Sequence, residues 1–266
     1  MAFIEADDFR QMTIVAWNEM IKSIRGKKLL IFIVIVALML ALPLVISVGF
    51  GGELYRAPQQ YLGNYTSFLL IILIISASLF TSTTLVSEFE NRTALLIFTR
   101  PVKRTTIFAG KFIGCFILQW AVIALFYVGM TMIAVIFKAD GYSIPFGDII
   151  TSFLLATLAL LAISSLSVLF SSLVKRSSTA SILSFVMFLM IIPMIEVSVL
   201  LGIHGMLETI KFEWYMFDSV ASFASDVFGI SDNVFASTAP EIIGYAMIWC
   251  VIPLIAALYF FRKRDV

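Results

Sequence analysis

Six long apolar runs, separated by short polar stretches, organise this chain of 266 residues: 29–49, 66–87, 112–137, 148–174, 179–203 and 240–261. A lipid hydrocarbon core is about 30 Å thick and takes about 20 helical residues to cross, so each run predicts a transmembrane helix. The first run exceeds a signal-peptide core, and no clear small-x-small cleavage pattern follows it; it reads as a retained span, with Pro43 placed to kink its far end. The second ends in SASLFTSTT, and the fourth carries Ser164, Ser165, Ser167, Ser171 and Ser172. Such small hydroxylated faces let helices approach closely, or else line a polar path. Gly110 and Gly114 form a G-x-x-x-G pair at the start of the third run, a loose packing signal. Pro193 interrupts the fifth. The stretch 50–65 holds Gly51, Gly52, Pro58 and Gly63 and reads as loop, and 204–239 is a longer loop with room for one or two short interfacial helices.

Ahead of the first span, residues 8–25 have a different period. Phe9, Thr13, Ala16, Trp17, Met20, Ile21 and Ile24 fall near one helical face; Arg10, Gln11, Asn18, Lys22 and Arg25 fall on the other. The pattern predicts an amphipathic helix lying in the membrane interface, with Trp17 at headgroup depth. Residues 1–28 therefore form an interfacial segment and 29–266 a six-span transmembrane domain. The fold class is an all-α integral membrane protein.

Composition agrees. Hydrophobic residues make up 61% of the chain, charged residues 13%, and the mean hydropathy is +1.04, outside the range of soluble domains. The net charge of +1 carries no message, but its distribution does. Six spans put the N-terminal segment, the loop between spans 2 and 3, the Lys175–Arg176 turn and the C-terminal tail on one side, and these hold fifteen of the eighteen Lys and Arg residues. Arg56, Lys138 and Lys211 lie on the other. Positive charge marks the cytosolic face, so both termini are expected inside, with the plasma membrane the expected location.

Catalytic patterns are missing. One histidine, His204, rules out His-pair metal motifs. Gly110-Lys111 is followed by Phe112 and lacks the upstream glycine of a phosphate-binding loop, so no nucleotide cofactor is expected on this chain. No catalytic, cofactor-binding or metal residues are assigned. Cys115 and Cys250 lie in apolar runs and read as packing residues.

The most informative stretch is 87–114, SEFENRTALLIFTRPVKRTTIFAGKFIG. It sets ALLIF, residues 94–98, inside a charged loop; a short helix there would be apolar nearly all round and needs a cover. Pro101 disfavours helix at Arg100, so the short helix should end there. The order of features—an acidic pair, a small apolar helix, TRPVKR, then GKF entering a span—resembles the permease subunits of type-two ABC exporters. The matching positions are Glu88, Glu90, Thr93, Leu95, Arg100, Pro101, Val102, Arg104, Gly110 and Lys111.

The resemblance implies that this cytosolic loop holds the coupling helix that contacts a separate ATPase subunit, with Glu88, Glu90, Ala94, Leu95, Phe98, Arg100, Pro101 and Arg104 as the coupling residues. It further implies a dimer of permeases, identical or related, two ATPase subunits that bind the ATP, and export of a substrate that the sequence does not identify. Nucleic acid is not an expected partner; the lipid bilayer is. Glu88 and Glu90 read either as a solvated helix end or as side chains that hydrogen-bond the loop and fix its angle. Glu196, an acidic residue inside an apolar run, is a further functional candidate near the outer interface. The competing readings are an ATP-independent transporter or channel and a membrane anchor for a soluble partner.

Overall fold

The computed structural model describes residues 6–49, 58–90, 102–137, 143–195, 224, 226–228 and 232–263, and these are helical apart from short turns. Six helices are long and apolar enough to cross a membrane: Lys27–Ile46, Tyr61–Thr84, Arg104–Phe137, Phe146–Leu173, Ser177–Ile195 and Ile242–Lys263, spans 1 to 6 in that order. The ALLIF segment with Ala94, Leu95, Phe98, Arg100 and Pro101, and also Glu196 and most of the 204–239 loop, lie outside the described residues.

An N-terminal helix, α1 (Ala6–Arg25), precedes the spans and turns into span 1 at Gly26. Spans 2 and 4 occupy the centre of the bundle, and spans 1 and 5 its rim. Tyr65, Leu69 and Ile72 of span 2, Phe126 and Met130 of span 3, and Leu160 of span 4 are wholly buried in one continuous core. Span 6 packs along span 4 with Ile242, Ala246, Cys250 and Ala257 turned inward. The small side chains in that stripe let the backbones approach, which is how helices gain contact where lipid removes the hydrophobic drive between them. The Ser165 hydroxyl donates across this seam to the Trp249 carbonyl at 3.0 Å.

Three helices begin earlier than the hydrophobic pattern predicts. Pro58 opens a helix inside the stretch read as loop; at a first helical position its missing N–H costs nothing. Tyr61, Leu62 and Tyr65 of that helix are buried, and the Tyr65 hydroxyl donates to the Leu40 carbonyl of span 1 at 2.9 Å. The span 3 helix starts at Arg104 and the last helix at Asp232, because polar turns extend both beyond their apolar stretches.

Two spans are not plain α-helix. Span 2 contains a π-turn at Ala77–Thr81, followed by a break at Leu85; span 5 contains another at Met187–Ile191, just before Pro193. Proline lacks an N–H and crowds the carbonyl four residues back, so a widened turn is one way for a helix to carry it. Instead of interrupting span 5, Pro193 sits within helix that continues to residue 195.

Candidate functional site: a charged brace at the base of the 88–104 loop

The brace begins with α1 and the first turns of span 3, which cross in close contact. A β-carbon on Gly110 would fall 2.8 Å from the Met12 carbonyl oxygen and 2.9 Å from Val15 Cβ. One on Gly114 would fall 2.5 Å from the Ala16 carbonyl oxygen. The G-x-x-x-G pair is thus the groove in which α1 lies. The face of α1 that enters the groove is not the one with its exposed large apolar side chains. It carries Asp8, Ala16 and Glu19, all buried, while Phe9, Ile14, Trp17 and Ile24 point outward.

Buried carboxylates demand partners, since removing a charge from water without compensation costs several kcal/mol. The groove supplies them. Lys111 Nζ lies 2.8 Å from Glu19 Oε2 of α1 and 2.8 Å from Glu88 Oε1 at the end of span 2. The Lys111 and Glu19 side chains are only 6% and 8% exposed. Lys22 Nζ, closer to solvent, adds a 3.1 Å bond to the same Glu88 oxygen. The cluster therefore holds two cations and two anions, and it joins α1, span 2 and span 3 next to Glu90, the last described residue before 102.

A second tie forms at Lys103 and Arg104, where the described residues resume. Lys103 Nζ donates to Asp8 Oδ2 at 2.6 Å, and Arg104 Nη1 donates to the Arg262 carbonyl at 3.0 Å, reaching the end of span 6. Behind them, Phe89 and Phe108 pack against Phe261. The loop's first residues are thus fixed to α1 through Glu88 and its last through Lys103.

Glu90 goes elsewhere. Its Oε2 accepts the Ser177 backbone N–H at 2.9 Å and also the Ser177 hydroxyl. The first amides of a helix have no partner within it, and the flanking Arg176 side chain provides no cap. The Glu90 carboxylate fills that role from another helix. These hydrogen bonds from Ser177 hold its carboxyl below the usual carboxylate range.

The family model for the ABC-2 family transporter protein matches residues 13–266, nearly the whole chain. The chain belongs to that family. It is a membrane-spanning permease subunit of an ABC transporter, multi-pass and embedded by its six spans. No curated protein matches it.

Inside the permease, the π-turn of span 2 is a second meeting point. Lys28 Nζ at the start of span 1 donates to the Leu79 carbonyl at 3.3 Å and to Thr83 Oγ1 at 2.9 Å. Gln119 of span 3, wholly buried, donates to Thr81 Oγ1 and accepts from Ser164 Oγ of span 4 at 2.9 Å. Ser82 meets Ser181 of span 5 at 3.3 Å. Where the helix breaks at Leu85, the freed amides of Leu85 and Val86 both donate to Ser171 Oγ of span 4 at 3.2 Å. One irregular stretch of span 2 is thereby tied to four other spans. Ser76, Ser78, Thr83 and Thr84 bond back to carbonyls of their own helix and are buried, so in this permease the hydroxyl-rich face of span 2 is a packing surface.

Of the coupling residues read from the sequence, Glu88, Glu90 and Arg104 lie at this end of the permease, each with a different partner. The sequence reading missed Asp8, Glu19, Lys22 and Lys103. A signal existed for Asp8 and Glu19: they share a helical face with Ala16, a placement that suits burial against a basic neighbour better than exposure. Among the described residues no group of three His, Cys, Asp or Glu side chains is placed to hold a metal ion. A cleft of about 350 Å³ between spans 3 and 4, lined by Tyr127, Val128, Met132, Ile150 and Phe153, offers no charged group to a polar substrate.

Proposed function

We propose that this permease works in an ATP-driven exporter, with the 88–104 loop transmitting the motion of a separate ATPase subunit to the spans. The observation that supports this reading is the bracing of the loop at both ends. A loop hung from flexible strands would swing when pushed and absorb the displacement. Here Glu88 at one end and Lys103 at the other both reach α1, and α1 is seated in span 3. A load on residues 91–101 would therefore pass to α1 and to spans 2 and 3 together. From span 2 it would reach span 4 through Ser171 and span 5 through Glu90 and Ser177.

In this reading Ala94, Leu95 and Phe98 fill a groove on the ATPase, Pro101 ends the short helix, and Arg100 contacts the ATPase or the acidic pair. Arg104 and Glu90 hold the loop's base. The permease pairs with a second copy or a paralogue, and ATP is bound by the partner ATPases. The basic side faces the cytosol with both termini, in the plasma membrane. Glu196, near the opposite face, takes part in substrate exit or in locking the two permeases.

The test is a pull-down of this chain from its host membranes, scored for a co-purifying ABC ATPase. Leu95→Ala or Phe98→Ala removes buried apolar area worth roughly 1 to 3 kcal/mol, so docking affinity should fall about fivefold or more, and recovery with it. Phe98→Asp should abolish it, because a charge would be desolvated without a partner. The detergent melting temperature of the permease alone should not change. A lowered melting temperature with undiminished ATPase recovery would mean that these side chains pack on the permease itself.

A further inference from the structure

We propose that the outward face of α1 docks on anionic phospholipid headgroups, and that this contact holds the base of the 88–104 loop in register. The inference starts from how α1 sorts its charges. Among its described side chains both carboxylates, Asp8 and Glu19, are turned into the protein and neutralised there by Lys103 and Lys111. Arg10 and Arg25, with Lys27 just beyond, stay exposed, and Lys22, also exposed, bonds Glu88. The free surface of the helix is therefore basic, although acidic residues lie along its length.

Beside those cations the helix also exposes apolar side chains, with Phe9 62%, Ile14 53%, Trp17 61% and Ile24 52% exposed. Cations alone would suit water or nucleic acid, and exposed apolar side chains alone would suit another protein. The two together on one helix at the membrane end of the molecule match an anionic lipid surface: apolar groups sink below the headgroups while Arg and Lys meet phosphate. The helix cannot roll to follow the lipid without moving the bundle, because Gly110 and Gly114 admit it at backbone contact. Its seat is passed on by Glu19 through Lys111 to Glu88, and by Asp8 to Lys103. The lipid contact stands apart from the proposed ATPase docking, and no ATPase is needed to examine it.

The test uses the full-length chain in nanodiscs of phosphatidylcholine, with and without phosphatidylglycerol. Amide hydrogen exchange is read at residues 86–90 and 104–108, and a nitroxide on Ile14→Cys reports depth by collision with oxygen and with a water-soluble nickel chelate. Phosphatidylglycerol should slow exchange at both loop ends, by about fivefold for each cation engaged. The R10Q/R25Q/K27Q variant should lose that lipid dependence, as should the unaltered protein in high salt. The nitroxide should collide with oxygen in preference to nickel. Exchange indifferent to headgroup charge in the unaltered protein would overturn the proposal. So would a nitroxide open to the nickel chelate, or an intermolecular disulfide through Ile14→Cys, which would mean that a second copy covers this face.

Discussion

Gly114 and Ala16 meet with no space for a methyl group between them: a β-carbon on Gly114 would stand 2.5 Å from the Ala16 carbonyl oxygen. The obstacle is backbone, which cannot rotate aside as a side chain can. Gly114→Ala should therefore push α1 off span 3 and cost about 1 to 3 kcal/mol, the usual range for overpacking. Gly110→Ala, which meets the Met12 carbonyl oxygen at 2.8 Å, should behave alike. Gly244 in span 6 has nothing within 4 Å of such an atom, so Gly244→Ala should leave stability unchanged or slightly raised. Thermal melting of the three variants in one detergent checks the contrast; equal melting temperatures would contradict the close crossing.

Lys111 should be costly to remove alone and cheap to remove with its partners. Lys111→Met leaves the buried Glu19 carboxylate without its ammonium partner while Glu88 keeps Lys22, a loss of about 3 to 5 kcal/mol. The triple variant Lys111→Met, Glu19→Gln, Glu88→Gln removes the charges together and should recover most of that loss. A triple variant no more stable than Lys111→Met would show that the cluster is not the coupled unit described above. The measurement is again melting of the isolated permease.

The Glu90 cap predicts a direction with pH. Its carboxyl is held below the ordinary range by Ser177, so the capping contribution is fully present above the unfolded-state value. It is lost as pH falls through the lowered folded-state value. Amide exchange at residues 177–180, corrected for intrinsic rates, should stay flat from about pH 8 to about pH 5 and rise only in stronger acid. Glu90→Ala should show the faster exchange at neutral pH already. Exchange that climbs in the unaltered protein around neutrality would point to a different group.

Sidedness is open to direct labelling. Single cysteines at Lys103 and Lys211 should react with a membrane-impermeant maleimide from opposite faces, Lys103 only from the cytosol. Labelling of both from one side would be incompatible with six spans in the proposed orientation.

The span count was legible because about 20 consecutive apolar residues have few other uses. The starts at Pro58, Arg104 and Asp232 were not, since a polar first turn reads like loop until tertiary contacts are known. For α1 the period revealed an amphipathic helix, yet it did not reveal the face that meets span 3. Charged residues are ordinarily read as solvated, and only the arrival of Lys103 and Lys111 shows why Asp8 and Glu19 are inside. The tie between Glu90 and Ser177 joins helices far apart in sequence, and nothing local announces it. The π-turns left only faint traces, a run of hydroxyl residues in one span and Pro193 in the other.

Lys111 also makes the start of span 3 dependent on two segments that precede it in the chain. Span 3 carries this lysine among its first turns, and the lysine's two counter-charges are in those segments. Glu88 is close by, at the end of span 2, and Glu19 is brought into reach by α1, seated in the groove opened by Gly110 and Gly114. In the assembled bundle the ammonium group is held inside, with the side chain only 6% exposed. Without α1 in that groove Lys111 would keep Glu88 but lose Glu19, so the first turns of span 3 depend on the helix that precedes span 1.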